Sequence, residues 1–368
     1  MEKKKNDFIA QGSILAIASI LVRVMGMIYR IPMTAIIGDK GNGFYSYAYS
    51  VYTILLLLSS YSLPLAVSKM VSAKAQLGQW RNVKRVFICA IAFAIGIGTT
   101  FGLIVLIGAQ FFTRVFFHSE LAAIALRFMA PTILIMALLG VFRGFFQGLQ
   151  NTLPTAVSQI VEGLINAIMS VVFAYFLFDF GHGMDAAGGT TDLGYAWGAA
   201  GGAIGTGAGA LAGLIFCFIL FVAYRKILAV NISRDKTGTQ QEYGDIFRLM
   251  LSIALPVILS TALYNLIELV DGSLFNNIMA SKGMEDVKDS MWGAYNAKAL
   301  LLVHIPVSIS SAMAVSLVPT LTAAYALGDE QTAKSKVHAI LRFISILAFP
   351  SAVGLLVLAN PIIKTLFS

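Results

Sequence analysis

The sequence predicts an all-α integral membrane protein, a polytopic helical bundle, and three observations carry that reading. Of its 368 residues 58% are hydrophobic and only 12% are charged, about half the charged share of a soluble domain; mean hydropathy is +0.81. Nine apolar runs recur along the chain, each about 20 residues or more, enough to cross a hydrocarbon core as helix. The runs are rich in Leu, Ile, Ala, Phe and Gly and lack the alternation of a membrane barrel, so their backbone polar groups are satisfied within helices.

The first run, 8–37, follows MEKKKND. It is too long for a signal-peptide core and lacks a small-residue cleavage site, so it is a retained helix. Runs 42–72, 84–112, 120–148, 153–179 and 194–224 complete six helices, and 245–279, 291–325 and 335–360 add three. The sixth carries GAAGGAIGTGAGALAG, where Gly201, Gly205, Gly209 and Gly213 fall four apart on one face and admit a neighbouring backbone. GTGAG is no dinucleotide motif, because no strand precedes it.

The net charge of +8 reflects topology. With the N-terminus inside, 17 basic residues fall on cytoplasmic segments, Arg143 among them, and 5 on the opposite side. The positive-inside rule therefore places the N-terminus in the cytoplasm, and nucleic acid is not an expected partner. Cys89 and Cys217 lack metal or redox spacing. His182, Asp185 and Asp192 share an external Gly-rich loop and read as solvent-facing polarity. There is no nucleophile with its base, no HExxH and no P-loop, so no catalytic residue, metal or cofactor is expected.

Sliding the chain by 250 residues lays 43–78 on 293–328 without a gap, with identities at Gly43/Gly293, Tyr45/Tyr295, Ser60/Ser310, Ala73/Ala323, Leu77/Leu327 and Gly78/Gly328. This predicts two parallel lobes: residues 1–225 as a six-helix N-terminal lobe, 226–244 as a cytoplasmic linker, and 245–368 as a partial C-terminal lobe of helices 7–9. A complete second lobe needs six helices, so the chain reads as truncated or as an incomplete gene.

Arg23 and Arg30 lie within the first span, seven residues apart, which is two turns on one face and about 10 Å along the axis. Each costs roughly 2.5 to 3.5 kcal/mol to insert, so the pair needs partners or a task. The alternative is a structural pair with Arg30 snorkelling to the headgroups. Gln159, Glu162 and Asn166 form a polar stripe on the fifth helix. Glu162, Glu268 and Asp271 are the candidate partners for Arg23. Glu268 and Asp271, three apart on the seventh helix, bind a coupling cation or pair with arginine. Lys298 lies about seven residues into the eighth helix and either faces the cavity or snorkels; Arg127 reads as an interface anchor.

The segment LVRVMGMIYRIP with IGDKGNGFY, the YSLPLAVSKMVSA end of the second helix and the block FRGFFQGLQNTLPTAVSQIVEG resemble bacterial polysaccharide-biosynthesis proteins of the MOP flippase superfamily, near the stage V sporulation protein B group and the MurJ type. The resemblance implies a two-lobed, MATE-like transporter fold of 14 helices, of which this chain holds an incomplete second lobe. It implies a flippase of the bacterial plasma membrane that moves a lipid-linked, lipid II-like precursor by alternating access, with lipid-linked oligosaccharide, membrane lipids and cell-wall synthesis proteins as partners. It assigns pyrophosphate binding to Arg23, to Arg30 with a one-residue shift, and to Lys298, and Na+ or H+ as coupling cation. The helix 2 arginine of MurJ proteins has no counterpart in YTILLLLSSYSLP. The rivals are a multidrug cation antiporter of the same superfamily and a non-transporting scaffold of envelope synthesis.

Overall fold

The computed structural model describes residues 2–188, 192–310 and 329–367, with side chains from residue 18 onward apart from 61, 187 and 262–264. Among them there is no strand. The helices are α1 (Glu2–Leu56), α2 (Leu63–Gln76), α3 (Trp80–Phe117), α4 (Ala122–Gly148), α5 (Leu153–Gly188), α6 (Leu193–Ser233), α7 (Tyr243–Ser281), α8 (Glu285–Ala294), α9 (300–310) and α10 (Glu330–Leu366). π-helical turns at Leu57–Tyr61 and Tyr295–Ala299 join α1 to α2 and α8 to α9.

Seven described stretches are long and apolar enough to cross a membrane. The first two expected runs form one of these, Ala18–Gln76. They are separated by a bend at Gly38, whose φ of 63° suits a residue without a Cβ. The expected run 291–325 lies partly outside the described residues.

Lipid tails are as apolar as leucine, so close backbone approach must hold such helices together. The α6 glycine stripe does this against α5: a methyl on Gly209 would stand 2.6 Å from the Glu162 carbonyl oxygen, and one on Gly213 3.3 Å from that of Ser158. A second stripe, Gly140, Gly144 and Gly148 on α4, seats α2. A Cβ on Gly144 would meet the Pro64 carbonyl oxygen at 2.6 Å, and one on Gly148 the Val71 Cβ at 2.7 Å. Between these glycines Phe142, Phe145 and Phe146 join Phe87, Phe221 and Tyr224 in an aromatic cluster at the linker end of the bundle.

The expected linker is shorter in the structure, because α6 continues to Ser233 and α7 begins at Tyr243. The remaining 234–242 is strapped to the start of α3. That helix has no side-chain cap of its own; instead Asp235 accepts the first-turn amide of Arg81 at 2.9 Å, satisfying a donor that the helix leaves open. Buried Asn82 receives Gln241 N at 3.0 Å and donates to Thr239 O at 3.1 Å, and Arg85 donates to Gln241 O at 2.6 Å. Backbone and hydroxyl donors from Arg81 and Thr237 hold the Asp235 carboxyl down, at about 2. The loop expected at 180–193 is also mostly helix. Its Asp185 accepts Leu193 N and Gly194 N at 3.0 and 2.9 Å and caps α6.

At the Gly38 end the arm of α1 beyond the bend crosses α8. A methyl on Gly43 would overlap the carbonyl oxygen of Asp289, and a methyl on Gly293 would overlap that of Asp39. Residues 39 and 43 are the repeat equivalents of 289 and 293 at the offset of 250. The contact is reciprocal, as across a two-fold axis.

Gly293→Ala is expected to lower stability by about 1–3 kcal/mol, the cost of forcing a methylene into a packed site. Gly96→Ala, where an added methyl meets nothing within 4 Å, is the control. Thermal melts of both in one detergent check this, and equal melting temperatures refute a tight crossing.

The Asp235 strap sets a pH limit. Its carboxyl lies lower in the fold than the usual 3.8, so its contribution is whole above about pH 4 and is lost as pH falls through about 2. Asp235→Asn should show the loosened linker at neutral pH, read as faster hydrogen exchange at Arg81 and Gln241.

Candidate functional site

A cavity of about 550 Å³ lies where the N-terminal helices meet α7–α9. From α1 come Arg30 and, past the bend, Tyr45, Ser46 and Tyr49. From α7 come Asn265, Glu268 and Asp271. Trp292 on α8, Tyr295 and Asn296 on the π turn, and His304 on α9 close the remaining side. Tyr45 and Ser46 are the repeat equivalents of Tyr295 and Asn296, so the pseudo-axis through the Gly43/Gly293 crossing also passes through the cavity.

The geometry has a local structural origin. Tyr45 and Tyr49 are one helical turn apart and stack with centroids at 5.8 Å, and the Tyr45 hydroxyl lies 3.4 Å from Thr206 Oγ1 on α6. One turn of π-helix carries an extra residue, which rotates the helix beyond it by about 100°. Tyr295, Asn296, Leu300 and His304 thereby share the cavity, while Lys298 points elsewhere.

The Gly38 end forms a closed roof. Tyr47 stacks between Phe117 at 4.7 Å and Trp292 at 6.3 Å, and its hydroxyl donates to Asn276 Oδ1 at 3.0 Å. Lys288, 4% exposed, donates to Phe117 O and His118 O at 3.2 and 2.8 Å, placing its charge at the negative end of α3. Burial pushes the neighbouring Asp289 carboxyl up, against the pull of Lys288 and Lys40. Lys298 Nζ lies 2.7 Å from Asp39 Oδ1, and Lys40 Nζ 2.7 Å from Asp192 Oδ1.

Of the residues singled out from sequence, Arg30, Glu268 and Asp271 share the cavity. Arg23 lies two turns from Arg30 towards the N-terminus and is exposed, outside the cavity lining. Among the described residues neither it nor Arg30 has an ion-pair partner. Lys298 is neutralised by Asp39 in the roof.

The α5 stripe is placed in the seam with α4 and α6. Glu162 accepts from Arg143 Nη2 at 2.6 Å and not from Arg23, while Arg143 Nε donates to Ser158 Oγ at 2.9 Å. Asn166 accepts from Ser170 Oγ at 2.8 Å, and Gln159 Oε1 is buried without a partner. Arg143, expected on a cytoplasmic segment, is thus a largely buried member of this pair, with a side chain 11% exposed. Sequence reasoning passed over Tyr45, Tyr49, Asn265, Trp292, Tyr295, Asn296 and His304. The available signal was the tyrosine spacing of 45, 49 and 52 and the polar spacing of 265, 268 and 271.

A family model described as polysaccharide biosynthesis protein matches residues 8–324. Lipid II flippase MurJ of Bacillus subtilis is 26% identical over 359 residues, 95% of this chain and 64% of the relative. Stage V sporulation protein B of the same bacterium is 24% identical over 368 residues, 99% of this chain and 67% of the relative. The chain thus spans about two thirds of the length of these relatives. Among solved structures, an inward-facing multidrug resistance MATE family transporter of the MOP superfamily superposes with a TM-score of 0.70 at 14% identity, over 94% of this chain and 72% of its own. A MOP superfamily transporter from Pyrococcus furiosus gives 0.61 at 15% identity, over 98% and 74%. Both likenesses establish the fold.

Asp39→Asn leaves Lys298 without its counter-charge and is expected to cost about 1–3 kcal/mol, less than a fully buried pair because both groups are partly exposed. Lys298→Met in the same chain should recover most of the loss. Melting temperatures of the two singles and the double measure the coupling, and additive losses refute a direct pair.

Proposed function

The chain belongs to the polysaccharide biosynthesis protein family, and from that premise we propose that it forms the transport path of a flippase. Its cargo is a lipid-linked cell-wall or polysaccharide precursor, a lipid II-like undecaprenyl-pyrophosphate glycan, carried across the bacterial plasma membrane by alternating access of two lobes. The observation that carries the reading is Arg30: a guanidinium in an apolar span, without an ion-pair partner among the described residues, lining a polar cavity at the lobe seam.

A guanidinium grips phosphate oxygens through paired, charge-assisted hydrogen bonds. Arg23, two turns away and without an ion-pair partner among the described residues, supplies a second anchor along the entry path. Lys298 becomes available to the head group when its pair with Asp39 breaks and the roof opens. The cavity offers room for sugars, whose apolar faces suit Tyr45, Tyr49 and Tyr295, while the polyprenyl tail stays in lipid. With the N-terminus cytoplasmic, the roof is the outer face and the described state is closed outward. Binding and movement of the cargo need no bond to be made or broken, so the activity is transport and not catalysis.

The acids Glu268 and Asp271 in the same cavity favour a second reading, a cation antiporter. Reconstituted protein separates the two. Arg30→Ala is expected to slow flipping of a fluorescent lipid-linked pyrophosphate about 10- to 100-fold, the equivalent of about 1.5–3 kcal/mol for a charged hydrogen bond. Arg30→Lys should also be impaired, because an ammonium lacks the planar fork. Unchanged flipping in both variants, with cationic dye efflux that depends on Glu268 and Asp271, would favour the antiporter.

A further inference from the structure

The charge inside the cavity does not suit a bare pyrophosphate. Among its described lining residues Arg30 is the one lysine or arginine, and it faces two acids, Glu268 and Asp271. The two acids sit three residues apart on one face of α7, exposed on the cavity wall. No described lysine, arginine or histidine lies within ion-pair distance of either. Tyr49 lies within electrostatic reach of both Arg30 and Glu268, so the positive and negative walls face a common volume.

A pyrophosphate held at Arg30 would meet two carboxylates across that volume, and like charges in a partly desolvated site repel. The repulsion disappears if the ligand itself carries positive charge at its far end. Carboxylates are acceptors only, and the tyrosine and tryptophan faces beside them attract cations. Among the described residues no group of three His, Cys, Asp or Glu side chains could hold a metal ion.

Resting on the flippase reading, we infer that the α7 wall, Glu268 and Asp271, is a subsite for a protonated primary amine on the cargo's own head group. The cavity then selects zwitterionic lipid-linked head groups, with phosphate at Arg30 and ammonium at α7. The competing occupant of the same acids is a coupling Na+ or H+.

The test uses the full chain in nanodiscs and two tail-labelled probes, polyprenyl pyrophosphates bearing either an amino sugar or the same sugar N-acetylated. Affinity is read by fluorescence anisotropy. The amine form should bind about tenfold more tightly, the scale of one charge-assisted contact. Glu268→Gln and Asp271→Asn should each erase most of that preference and leave the N-acetylated form unchanged or slightly tighter. Addition or removal of sodium should leave the preference intact. Equal binding of the two probes to the unmodified chain overturns the inference, as do variants that weaken both probes alike or a preference that tracks sodium. Arg30→Gln distinguishes this from the underlying reading: it should weaken both probes equally. If it weakens neither while the amine preference stands, the pyrophosphate assignment fails and the α7 subsite survives.

Discussion

The reciprocal packing of Gly43 against Asp289 and Gly293 against Asp39 is the constraint on which the cavity depends. Two helices approach there to the limit of backbone contact, and only glycine permits it. The crossing fixes where α8 leaves α1, and hence which side chains below it converge: Tyr45 and Ser46 from one arm, Tyr295 and Asn296 from the other. Around it the polar groups are tied down in turn. Lys298 is committed to Asp39, Lys288 to the end of α3 and Tyr47 to Asn276. Arg30, Glu268 and Asp271 lie below, in the cavity.

That division explains how an apolar bundle tolerates its charges. Buried ions away from the cavity are held by a counter-ion, as Arg143 is by Glu162, or by backbone groups, as Lys288 and Asp185 are, because an uncompensated ion in a dry seam is costly. Arg23, Arg30, Glu268 and Asp271 have no ion-pair partner among the described residues; the last three line the cavity and Arg23 is exposed. A ligand therefore meets charges that the fold has not already neutralised.

Most of the helices could be read from hydropathy, since a spanning helix needs a long apolar run whatever its neighbours. The 250-residue repeat was legible too, although only six identities marked it; packing has given Gly43 and Gly293 a reason to match. The block FRGFFQGLQNTLPTAVSQIVEG proves to be a clasp, in which Gly144 and Gly148 seat α2, Arg143 reaches Glu162, and Gln147 reaches Thr155 at 3.2 Å. Residue partners were beyond the sequence. Arg143 reads as a loop cation until α5 is placed beside it, and the capping of α3 by Asp235, 154 residues away, has no local signature. The cavity aromatics escaped because nothing in the one-dimensional pattern separates an aromatic that packs from one that lines a cavity.

The wide separation of the crossing's two halves also bears on biosynthesis. Gly43 leaves the ribosome 250 residues before Gly293, roughly 12 to 50 seconds earlier at about 5–20 residues per second. The α5–α6 hairpin can zip together as soon as its second helix enters the bilayer. The roof cannot, and throughout that interval Arg30 and the tyrosine ladder of α1 stand in a half-built wall, facing lipid or the insertion machinery. The newborn N-terminal helices must therefore survive with their cavity face uncovered, which gives the tight glycine seams of α2–α4 and α5–α6 a second duty: they hold those helices together until α7–α9 arrive.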